Sequence, residues 1–148
     1  MYSAIDLIRE SNKIEGIIRE PTEAELFEFG RFMQLESVLL DDLIRFVGIY
    51  QPGAVLRNKA GLDVRVGSYI APSGGPKIPA LVGNLLGEVN AKAISPWKAH
   101  MEYESIHPFT DGNGRSGRML WCWMMQGAAF DLGFLHRFYY QALSNYHG

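Results

Sequence analysis

Apolar residues recur at helical spacing along most of this chain, and one stretch in the middle breaks the rhythm. The pattern predicts a helical opening over residues 3–18, with a break near Ser11. Pro21-Thr22-Glu23 predicts the next helix start, because proline fits a first turn and acids suit the positive end of the dipole. Leu26, Phe29, Phe32 and Met33 then follow at helical spacing. A further periodic helix is predicted from Val38 to Tyr50, closed by Pro52-Gly53.

Between residues 53 and 79 the pattern changes. Val64, Val66, Tyr69 and Ile70 favour strand, and Ser73-Gly74-Gly75-Pro76 reads as a turn. The expectation is one short hairpin, confined to an edge by Pro72 and Pro76. Helical periodicity resumes at Pro79 and continues through Leu86 and Val89. Ser95-Pro96 caps and begins a helix to about Ile106. Two more are predicted, from Asn113 to about Phe130 and from Gly133 to Asn145. The fold class expected is therefore mainly all-α, as a single domain over residues 1–148.

Composition narrows the function classes. Apolar residues make up 47% of the chain, enough for one core, and the net charge of −2 lacks the basic excess of a nucleic-acid binder. Cys122 is the only cysteine, which rules out an intrachain disulfide, and its neighbours Trp121 and Trp123 point to a packed thiol. The opening MYSAIDLIRE carries two acids and an arginine before any long apolar run, unlike a signal peptide. The most apolar stretch, Met119–Met125, is too short to cross a bilayer. The expected setting is cytoplasmic, with neither nucleic acid nor membrane as a partner.

The chemistry is concentrated in His107-Pro108-Phe109-Thr110-Asp111-Gly112-Asn113-Gly114-Arg115-Ser116-Gly117-Arg118. Pro108 disfavours helix at His107, so the histidine stands where a helix gives way to a loop. Histidine is the side chain best suited to accept a proton near neutral pH. Phe109 is expected to anchor the loop in the core. Asp111 has two readings, an N-cap or a Mg²⁺ ligand. Gly112-Asn113-Gly114 can turn successive N–H groups toward an anion at a helix N-terminus. Arg115 and Arg118 share a face in the first turns of the following helix, where cations oppose the dipole unless an anion neutralises them. Guanidinium forks match phosphate oxygens. Each element has an ordinary structural explanation; together they point to a di- or triphosphate bound with Mg²⁺ beside a histidine base.

HPFTDGNGRSGR resembles the Fic family signature, H-x-F-x-[DE]-G-N-G-R-x-x-R, at every defining position. AHMEYESIHPF, RFYYQAL and the VRVG…PKIPALVGNLL stretch are also Fic-like, so the resemblance covers nearly the whole chain. It implies a compact helical domain with one hairpin flap at about residues 64–78 and an active-site loop over 107–118. It further implies a protein adenylyltransferase that moves AMP from ATP to a Ser, Thr or Tyr hydroxyl of a target protein docked at the flap. His107 would be the catalytic base, and Asp111 would hold Mg²⁺. Gly112, Asn113 and Gly114 would cradle the phosphates, with Arg115 at the β-phosphate and Arg118 at the γ-phosphate.

Ser11-Asn12-Lys13-Ile14-Glu15-Gly16 matches the family's inhibitory pattern, [ST]-x-x-x-E-[GN], on the opening helix at about residues 5–18. Ser11, Glu15 and Gly16 are then regulatory, with Glu15 pairing to Arg118 in place of the γ-phosphate. The alternatives are a de-AMPylase in which Glu15 orients water, transfer of another phosphate-containing group, and a non-enzymatic nucleotide sensor.

Overall fold

The computed structural model describes residues 3–126. The helix expected over Gly133–Asn145 lies outside them, as does Phe130. Six helices and one hairpin follow in the order α1 (Ala4–Ile14), α2 (Glu23–Met33), α3 (Leu40–Tyr50), β1 (Arg65–Val66), β2 (Tyr69–Ile70), α4 (Lys77–Asn90), α5 (Pro96–Ile106) and α6 (Asn113–Met124).

Helix α1 starts on a capping box. Ser3 Oγ accepts from the Asp6 N–H and the Asp6 carboxylate accepts from the Ser3 N–H. The helix does not break at Ser11, as its periodicity suggested, but runs on to Ile14. It also stops short of Ile18. Gly16 adopts φ +79°, its N–H donates to Lys13 O, and the Ile17 N–H donates to Asn12 O. That is a Schellman motif, and it needs a residue that tolerates the left-handed region. The glycine of the SNKIEG hexapeptide therefore terminates the helix and leaves Glu15 as its last cap residue.

Thr22 and Glu25 form a second capping box at the predicted start of α2. Helix α3 begins at Leu40 rather than Val38. Val38 is held outside it by Asn90, whose side chain both donates to Val38 O and accepts from Val38 N. The hairpin is shorter than expected. Arg65 pairs with Ile70 and Val66 with Tyr69, while Lys77 and Ile78 already belong to α4. Pro79 therefore lies in the first turn of α4, where its missing N–H costs nothing. Ser95 Oγ caps α5 by accepting from the Lys98 N–H.

Helix α6 is the spine of the domain: it packs against α1, α2, α3 and α5. Every residue from Arg115 to Cys122 is buried. It ends at Met124 rather than near Phe130. Phe32, Leu43, Val47, Val82, Tyr103 and Leu120 are at the centre of the surrounding core. Burial pushes the Cys122 thiol up to about 12, so it is packed and protonated at neutral pH. No helix among the described residues is long and apolar enough to cross a membrane.

Candidate active site

The site forms where α5 ends and α6 begins. His107 caps α5 with φ 49° and ψ 64°, a left-handed conformation rare for a residue with a side chain. Pro108 forbids the helical alternative, and the surrounding hydrogen bonds hold the strained one. The His107 N–H donates to Tyr103 O at 3.0 Å. The ring Nδ1 is 3.0 Å from Glu104 O. A carbonyl only accepts, so Nδ1 carries the proton and Nε2 of the neutral ring is left with its lone pair. Burial lowers the proton affinity of His107 below that of an ordinary histidine, partly offset by the bond to Glu104 O. The ring is thus poised as a neutral base.

Beyond it, the loop is fastened by Phe109 and Asn113. Phe109 is buried and bridges to Leu56. The Asn113 side chain accepts from Phe109 N and donates to Phe109 O, both at 2.8 Å. That amide braces the loop and does not face outward. The N-cap of α6 is Gly112, at φ 80°, and not Asp111. Asp111 Oδ1 instead accepts from the Gly112 N–H at 2.8 Å. Asp111 is exposed. Of this segment the backbone amides of Asn113 and Gly114 are placed to meet an anion, since first-turn amides have no acceptor within the helix, whereas the Gly112 N–H is taken by Asp111.

Both arginines turn toward α1. Arg118 Nε donates to Ser11 Oγ at 2.9 Å, and Nη2 donates to Ser11 O at 3.1 Å and to Glu15 Oε2 at 2.7 Å. The Glu15–Arg118 ion pair lies directly over Gly114, where a Cβ would come within 2.5 Å of Glu15 Oε2. A side chain there would displace the Glu15 carboxylate from its place over the turn. Arg115 is engaged elsewhere: Nη1 donates to Tyr50 O at 2.8 Å and to Asn12 Oδ1 at 3.3 Å, and Nη2 to Gln51 Oε1. Its guanidinium ties α3 to α1 through α6 and does not line the cleft. Asn12, wholly buried, also donates to Glu25.

Glu15, Val66, Glu104, His107, Asp111 and Gly114 line one cleft of about 240 Å³, with the β1 strand along its side. That is below the ~300–1,000 Å³ common for small-molecule sites. Among the described residues no group of three His, Cys, Asp or Glu side chains could hold a metal alone. The donor set still fits Mg²⁺ arriving with a nucleotide. Mg²⁺ takes one or two carboxylates and completes its shell with phosphates and water, and Asp111 is an exposed carboxylate in the same cleft.

A family model for the Fic/DOC family matches residues 27–125. The chain belongs to the Fic/DOC family. Proteins of this family generally transfer AMP or another phosphate-containing group. A crystal structure of a Fic family protein from Desulfovibrio desulfuricans G20 has the same fold, with a TM-score of 0.60 and 22% identity. The match covers 97% of this chain and 55% of that one, so this chain spans about half that protein's length. The Fic family match begins after α1. The contact between Glu15 and Arg118 therefore stands on the geometry of this chain.

Three participants carried no sequence signal as site residues. Arg57 is isolated in an irregular loop, and His100 and Glu104 look like the polar face of α5. All three are buried. Burial raises the Glu104 carboxyl to about 8 and lowers His100 to about 3. Both are neutral at pH 7, so their 3.9 Å approach is no ion pair. Linkage fixes the sign for Glu104. Its folded value is raised, so the native state binds the extra proton between the ordinary glutamate value and about 8, and stability falls as pH rises through that window. His100 has the opposite slope, confined to below its ordinary value of 6.5. Between pH 6.5 and 8 the chain is therefore expected to lose roughly 1–2 kcal/mol that a Glu104→Gln variant keeps. Chemical denaturation at both pH values measures this; parallel pH dependence in the two proteins contradicts it.

Proposed function

We propose that this Fic protein is a self-inhibited protein adenylyltransferase. The observation that supports this best is a histidine with Nδ1 committed to Glu104 O and Nε2 available, in one cleft with Asp111 and the amide end of α6. ATP would lie with its phosphates along Gly112–Gly114. A Ser, Thr or Tyr hydroxyl of a target protein would attack the α-phosphorus while His107 Nε2 takes its proton. The bond from the α-phosphorus to the bridging oxygen breaks, and pyrophosphate leaves. Mg²⁺ held by Asp111 and the phosphates would supply charge neutralisation. The exposed edge of the β1–β2 hairpin suits an extended target segment bound through backbone hydrogen bonds.

Glu15 sets the resting state. While it holds Arg118, that guanidinium is unavailable to the γ-phosphate, and ATP lacks the contact that orients its α-phosphorus for in-line attack. The test is intact-mass spectrometry of the Glu15→Gly protein after incubation with ATP and Mg²⁺. Addition of one AMP is expected. Addition of phosphate alone would reassign the transferred group, and loss of AMP from a pre-modified substrate, dependent on Glu15, would reassign the reaction as de-AMPylation.

A further inference from the structure

Arg57 is wholly buried, and none of the ion pairs among the described residues includes it. A buried guanidinium without a carboxylate is costly unless its donors are satisfied. Here carbonyls satisfy them. Nε donates to His107 O at 2.7 Å and Nη2 to Ile106 O at 2.9 Å. Nη1 donates to Leu62 O at 2.9 Å and to Pro72 O at 2.8 Å. The backbone of Arg57 repeats the connection, donating to Pro108 O and accepting from the Gly75 N–H, both at 2.9 Å.

These partners fall into two groups. Ile106, His107 and Pro108 form the corner that carries the base. Leu62 and Pro72 bracket the β1–β2 hairpin, and a single nitrogen holds both. The charge faces the C-terminal carbonyls of α5, the negative end of its dipole. A lysine, with one ammonium point, cannot span both groups.

We infer that Arg57 is a positioning residue that locks the His107 backbone to the base of the hairpin, so that the flap and the proton acceptor hold one geometry. This rests on the reading of His107 as the base. The fork fixes the His107 carbonyl in its left-handed turn, while Glu104 O fixes the ring. The same charge also opposes protonation of the ring, since Arg57 lowers His107's proton affinity. Charged groups facing the ring from other elements are Glu15 and Asp111, both acting in the opposite direction.

The experiment compares Arg57→Gln and Arg57→Lys with the unaltered chain, without nucleotide, by NMR. Arg57→Gln is expected to raise the His107 titration midpoint, and Arg57→Lys to raise it by less. Both variants are expected to speed hydrogen exchange of the hairpin amides by at least about tenfold. In the Glu15→Gly background, Arg57→Lys should lower kcat with little change in KM for ATP. Unchanged hairpin exchange in a folded Arg57→Gln protein overturns the inference, whatever the His107 midpoint does. If that variant does not fold, unchanged hairpin exchange in Arg57→Lys overturns it instead. Because the NMR arms contain no ATP, they fail or succeed independently of whether AMP is transferred.

Discussion

With Glu15 replaced by glycine, a second change of His107→Ala is expected to lower the proposed AMP transfer by about 10²–10⁴-fold, the usual contribution of a positioned general base. ATP affinity is expected to change little, because the His107 ring makes its bond to Glu104 O rather than to the α6 amides. The loss should therefore appear in kcat. The pH profile carries the same information. His107 must be neutral to accept a proton, and burial holds its proton affinity below the ordinary histidine value. Activity in the Glu15→Gly protein should accordingly persist below pH 6.5 before the acid limb is reached, the reference value for free histidine. Radiolabel transfer from ATP tagged at the α-phosphate, followed across pH, measures both. Equal transfer with and without His107 would end the mechanism.

The second large effect is release. Glu15→Gly is expected to raise the initial rate over the unaltered chain by roughly 10–100-fold, the equivalent of one charge-assisted hydrogen bond removed from the resting state. The pair is suited to this role by its asymmetry. Arg118 is 1% exposed, whereas the Glu15 side chain is 29% exposed. The carboxylate can therefore leave toward solvent while the guanidinium stays on Ser11. Glu15→Gln, which keeps the shape and loses the charge, should give an intermediate rate. A Glu15→Gly protein no faster than the parent, with His107 and Asp111 intact, would show that the ion pair does not limit the reaction.

Within the active-site sequence, legibility depended on whether a residue's role was local. The turn at His107-Pro108 and the glycine at 112 follow from backbone sterics that neighbouring residues dictate. Asp111 as a cap was also a local expectation, and it gave way to Gly112 because the left-handed start of α6 places the carboxylate beside the Gly112 N–H instead. Arg115 was expected at a phosphate because it shares a first-turn face with Arg118, and the family resemblance implied the same for Asn113. Their side chains turn inward, Asn113 to the backbone of Phe109 four positions away and Arg115 to Tyr50, a partner that no nearby residue announces.

The same division runs through the whole fold. Sequence alone determined where α2 and α5 begin and that the chain is mainly helical with one hairpin, because caps, prolines and apolar spacing act over a few residues. It determined the chemical inventory of the loop for the same reason. Only the tertiary structure decided that Arg57 and Arg115 are buried as braces behind the cleft. Arg57 meets carbonyls up to 50 positions away, which nothing in the sequence indicated, whereas the Glu15–Arg118 pair across 103 positions was expected from the family resemblance alone. A buried guanidinium is set by the acceptors that packing brings to it, and those acceptors are carbonyls or carboxylates from distant segments whose arrival no local pattern encodes.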